Sequence, residues 1–160
     1  MKRHLLDEFS NSIAEELFAD FPKWRTFASA EDAGDGSYFL VVDVPSPKEA
    51  DTPDGLVIDT NGGEVTVAFD YYHSHFDNWR PIDPADGYGS ALELVRSILN
   101  ESVAIVTWFD GEKCLGSGQV HNGELPEVTF AFTRIRVRSW RGLHNELSCT
   151  GRLADADGSV

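Results

Sequence analysis

The stretch whose reading decides the fold is Leu56-Val57-Ile58-Asp59-Thr60-Asn61-Gly62-Gly63-Glu64-Val65-Thr66-Val67-Ala68-Phe69-Asp70-Tyr71-Tyr72-His73-Ser74-His75-Phe76. Two β-branched, alternating runs, Leu56 to Thr60 and Glu64 to Tyr72, flank Asn61-Gly62-Gly63. Glycine after asparagine supplies the positive-φ positions that a strand-reversing turn needs, so the stretch is expected to be a β-hairpin. A hairpin in the middle of the chain points to an antiparallel sheet rather than a βαβ array.

Working outward, Ser37 to Val44 is a strand candidate stopped by Pro45 and Pro47, and Ser46 to Gly55 reads as a polar loop. Val103 to Asp110 and Lys113 to Val120 flank Asp110-Gly111, a second hairpin. Val128 to Ser139 reads as a long strand whose alternation changes phase, which a β-bulge near Thr133 would explain. Leu143 to Thr150 is the last strand. Two helices are expected. Leu5, Leu6, Phe9, Ile13, Leu17 and Phe21 recur at helical spacing before Pro22, with Ser12-x-x-Glu15 resembling a capping box. Trp24 and Phe27 should then dock on the core. The second helix runs from about Ser90 to Asn100, with Ala91, Leu92, Val95, Ile98 and Leu99 as its apolar face. The expectation is an α+β domain over residues 1–152: a largely antiparallel sheet of about six to seven strands with two helices on one face. Residues 153–160 should form a frayed tail.

The chain has 160 residues, of which 41% are hydrophobic, which suits one globular domain. No apolar run reaches the roughly 20 residues of a membrane helix, and Asp7 and Glu8 interrupt any secretory h-region. A cytoplasmic protein is expected. Its two cysteines, Cys114 and Cys149, lack CxxC spacing and read as buried thiols, a disulfide being the alternative if their strands are neighbours.

The net charge is −14, from 27 acids against 13 bases. Such a field repels nucleic acid and anionic membrane and attracts a basic protein. The bases are unevenly placed: Arg134, Arg136, Arg138, Arg141 and Arg152 fall in one segment that carries a single acid, Glu146. Arg134, Arg136 and Arg138 share a strand face. They are expected to pair with acids on a neighbouring strand or helix; contact with phosphates is the other reading.

Chemistry concentrates at the end of the opening hairpin. In a strand, His73 and His75 point the same way, about 6.6 Å apart along the chain, so both imidazoles could share a metal ion. His73-x-His75-x-Asp77 resembles the opening of the metallo-β-lactamase motif, but that motif's final histidine is Asn78 here. A metal-dependent hydrolase using His73, His75 and Asp77 is therefore the alternative reading. A second reading makes the pair an ordinary strand end. A third makes Asp70, Tyr71, Tyr72, His73, His75, Asp77 and Trp79, with Asp83 and Asp86 beyond them, a recognition surface of aromatic anchors among acids. The nucleophile elbow, the Walker loop and the dinucleotide fingerprint are all missing from the sequence. Gly116-Ser117-Gly118 lies within a strand, where close backbone approach or a bulge explains it.

Residues 56–76 resemble a hairpin of the immunity proteins of bacterial polymorphic toxin systems, of the contact-dependent inhibition and Rhs types. The likeness rests on Val65-Thr66-Val67, Phe69, Tyr72-His73 and His75-Phe76, and covers about 21 of the 160 residues. It implies a non-enzymatic, cofactor-free protein that binds the C-terminal domain of a cognate toxin, commonly a basic nuclease. It names no particular binding surface.

Overall fold

The computed structural model describes residues 6–81 and 89–151, with the side chains of 148–151 left aside. The chain is α+β. In order come α1 (Glu8–Asp20), β1 (Ala28–Asp32), β2 (Tyr38–Val44), β3 (Leu56–Asp59), β4 (Val65–Phe69), β5 (Tyr72–Phe76), α2 (Ala91–Leu99), β6 (Val103–Asp110), β7 (Lys113–His121), β8 (Phe132–Arg138) and β9 (Glu146–Gly151). Every strand pairing is antiparallel, in two sheets: β1-β2-β3-β4-β5 and β7-β6-β8-β9. The strands expected in one sheet are thus divided between two.

The five-stranded sheet buries one face. Leu40, Val42 and Val44 of β2, Leu56 and Ile58 of β3, and Val65, Val67 and Phe69 of β4 alternate inward. They share a core with Ile13, Leu17 and Phe18 of α1 and Ala91, Leu92, Val95 and Ile98 of α2. The expected helices are therefore present on one face of this sheet. The cap of α1 differs from expectation. Asp7, not Ser12, accepts the Ser10 N–H at 2.7 Å, because a carboxylate one residue before the helix reaches the free donors of its first turn. Ser90 and Glu93 form a reciprocal capping box on α2. Trp24 docks on the core, stacked on Phe21, while Phe27 stays exposed.

The glycines at the first hairpin act as read. Gly62 and Gly63 take φ of +75° and +78° between β3 and β4. The strand expected to run on to Tyr72, however, turns at Asp70-Tyr71 and returns as β5. Asp70 enters the left-handed region with φ +54°, a conformation that aspartate tolerates better than most residues. The strand β1 has no apolar alternation in Ala-Ser-Ala-Glu-Asp and was not expected; pairing with β2 defines it.

In the four-stranded sheet, β6 is buried from Val103 to Phe109. It gives Val103 and Ile105 to the helical core from one face. From the other it gives Ala104, Val106 and Trp108 to a second cluster with Val120 and Val137. The register shift lies here and not at Thr133: Trp108 faces Gly116 but Phe109 faces Cys114, leaving Leu115 as the extra residue. Leu115 packs on the second cluster, and Cys114, expected in the core, is displaced to the exposed hairpin end. The side chain of Cys149 lies outside the described residues. Residues 128–131 are not strand, so β8 is shorter than expected. A Cβ on Gly118 would sit 3.1 Å from the Trp108 ring, so this glycine is the close approach anticipated for the Gly-Ser-Gly triplet.

Candidate functional site

The residues expected to form one surface at 70–79 separate into three environments. Asp70 is turned inward. Its buried carboxylate pairs with the Arg136 guanidinium at 2.5 Å and accepts from the Thr107 hydroxyl at 3.4 Å. Arg136 also lies over the ring of Tyr71 at 4.9 Å, and Arg134 over Phe109 at 4.4 Å. Asp70 thus serves as the counter-ion of the arginine stripe, because the β4–β5 turn meets the inward face of β6 and β8. Arg138 pairs with Asp51 at 2.7 Å. The stripe's partners are acids in a turn and a loop, not on a neighbouring strand or helix.

Trp79 is fully buried, and this corrects its expected role as a surface anchor. Its indole N–H donates to Asp20 at 3.0 Å, and its carbonyl accepts from Leu92 at the start of α2. It therefore ties the two helices together. Burial pushes the Asp20 carboxyl up. Hydrogen bonds from Trp79 and Arg80, with the charges of Arg80 and Arg96, outweigh this and hold it below the usual carboxylate range. Tyr72 is half-buried, and its hydroxyl accepts from the Gln119 amide at 2.6 Å across the gap between the sheets. Asp83 and Asp86 lie outside the described residues.

What remains at the surface is Tyr71, His73, His75 and Asp77. Tyr71 is 47% exposed at the turn. His73 and His75 are exposed and project from the sheet face opposite the helices, their rings edge-to-face with centroids 5.2 Å apart. His75 Nδ1 lies 2.8 Å from a Glu64 carboxylate oxygen and 3.1 Å from the Thr66 hydroxyl. A metal held here would need a third ligand. Among the described residues no three His, Cys, Asp or Glu side chains are gathered into a metal-binding group, and Asp77 lies beyond the end of β5.

The register carries the histidines into a larger surface. His75 heads a row through Thr66, Asp59, Val41 and Ser29, one residue from each strand. His73 heads another through Ala68, Val57 and Asp43, and Glu31 faces Phe39 alongside. All are half-buried or exposed, none is Lys or Arg, and the apolar members Phe39, Val41, Val57 and Ala68 lie among Glu31, Asp43, Asp59 and Glu64. Sequence reasoning missed this surface, although its signal was present. Once Leu40 and Val42 face the core, strand parity sends Phe39, Val41 and Asp43 the other way.

No helix among the described residues is long and apolar enough to cross a membrane. Compared with protein-family models, with curated proteins and with solved structures, the chain matches none.

Proposed function

We propose that this protein is an immunity protein. It binds a basic, nuclease-type toxin domain and neutralises it through the outer face of its five-stranded sheet. The observation that carries this reading is the separation of charge. Arg136 and Arg138 are spent on internal partners, whereas the outer sheet face presents Glu31, Asp43, Asp59 and Glu64 without a single Lys or Arg among the described residues. Carboxylates so placed occupy positions where a nuclease would otherwise meet substrate phosphates, and they speed encounter with a basic partner. Phe39, Val41 and Val57 supply apolar area between them, and His73 and His75 are exposed aromatic groups on the edge strand. The likeness of residues 56–76 to immunity-protein hairpins points the same way. No catalytic step is assigned to the histidines.

The test is calorimetric titration with the C-terminal toxin domain encoded beside this chain. A tight complex that weakens as salt rises is expected. Asp43→Lys together with Asp59→Lys should weaken it by about a hundredfold through like-charge contact, mainly in the association rate. No complex at low salt overturns the reading; a complex indifferent to the two lysines moves it to another face.

A further inference from the structure

A second feature lies on the outward face of the four-stranded sheet. A pocket of about 620 Å³ opens there, a size that suits a short peptide segment. Its floor is apolar, from Ala104, Val120, Ile135 and Val137. Its rim holds Leu125 and Leu143, which are 46% and 73% exposed, so large apolar side chains stand in water around an apolar floor. Among the described residues no Lys or Arg lines it, but Glu101 and Glu146 do.

Glu101 is unusual in two respects. It sits just past α2 with φ +63°, a left-handed conformation costly for a side chain of this type, and Asn122, which also lines the pocket, has φ +52°. Two of the four non-glycine residues with positive φ among the described residues therefore line this one pocket; the other two, Asp51 and Asp70, hold Arg138 and Arg136. Glu101 is also buried. One carboxylate oxygen accepts the backbone N–H of Arg141 at 2.8 Å and of Leu143 at 3.3 Å. The other oxygen meets no donor among the described residues. Burial pushes this carboxyl up, but the nearby Ser139 hydroxyl, the backbone N–H groups of Arg141 and Leu143 and the Arg141 charge more than offset it, so the group is anionic at neutral pH.

We infer that this pocket is a docking site for a basic side chain with an apolar neighbour, presented on a peptide segment of a partner protein. The apolar neighbour and the methylene stem cover Val120, Ile135 and Val137 between the two leucines, and the guanidinium or ammonium meets Glu101 and Glu146. The site is distinct from the outer face of the five-stranded sheet, and its test contains no toxin, so the two proposals fail separately.

The experiment titrates the isotope-labelled full chain with N-acetyl-leucyl-arginine amide and follows backbone amide shifts. Saturable shifts are expected at residues 101–104, 120–125 and 143–146. The uncharged citrulline peptide should bind about fivefold more weakly, and the glutamate peptide should not compete. Glu101→Gln keeps an acceptor for the two backbone donors and should weaken the arginine peptide about fivefold. Should that change loosen the 139–143 turn, Leu143→Ser and Glu146→Gln, both at exposed positions, must each weaken binding in a chain whose spectrum is otherwise unchanged. No saturable shift up to about 10 mM peptide, equal binding of the citrulline peptide, or shifts away from the pocket would overturn the inference.

Discussion

The five-stranded and four-stranded sheets are built by the same antiparallel pairing, yet they bury themselves differently. In the first, β3 and β4 alternate strictly between core and outer face, because helices cover one side. In the second, β6 is buried on both sides, with the helical core on one and its own outer cluster on the other. The two share an apolar core through Val103 and Ile105, and beside it the junction carries polar contacts: Asp70 with Arg136, Ser117 with the Tyr71 carbonyl, and Gln119 with the Tyr72 hydroxyl. Apolar packing, part of it shared through β6, stabilises both halves, while directional, charged contacts add to how the halves meet.

Breaking the junction should produce the largest effect. Asp70→Asn preserves shape but leaves the Arg136 guanidinium largely buried without its counter-ion, a cost of about 3 kcal/mol. Urea unfolding measures it. A loss below about 1 kcal/mol would mean that the apolar cores alone hold the sheets together. An intermediate effect is expected within the helical half, at Asp20. Its folded-state pKa is depressed, so its contribution is complete above the ordinary carboxylate range and is lost as pH falls through the folded value. Asp20→Asn should cost about 1.5 kcal/mol at neutral pH, discounted because Arg80 and Arg96 are well exposed. It should also flatten the acid limb of the stability curve; an unchanged limb would remove Asp20 from the account. The smallest effect is expected at Asp51, whose side chain is 74% exposed. Asp51→Gly should shift stability by no more than about 0.5 kcal/mol, since glycine favours its φ of +53° and Arg138 keeps the carbonyls of residues 51, 137 and 146. A loss as large as that of Asp70→Asn would show that exposed and buried ion pairs are equivalent here.

Much of the fold was legible wherever the signal is local. Asn61-Gly62-Gly63 and Asp110-Gly111 mark real hairpins, α2 follows Ser90, where it was expected to begin, and Pro22 follows the end of α1. The two strands least well read, β1 and β5, lack such marks. Ala-Ser-Ala-Glu-Asp carries no alternation, and Asp70-Tyr71 is not a common hairpin pair. The candidate surface was legible only in part. His73 and His75 do share one face, but Asp70 and Trp79 were grouped with them by proximity in the chain and lie inside the molecule. An aromatic or acidic residue carries no local sign of whether water or a distant arginine will meet it.

The sequence by itself determined the α+β class, the position of the central hairpins, both helices and the excess of acid, because turn chemistry, periodicity and charge act within a few residues or over the whole composition. Tertiary structure alone decided that the strands divide into two sheets, that Asp70 and Asp51 neutralise the arginine stripe, that Trp79 bridges the helices, and that Phe39, Val41 and Val57 lie open among carboxylates. The physical reason is that burial and ion pairing depend on which segments, tens of residues apart, come to lie against one another, and no local pattern encodes that choice.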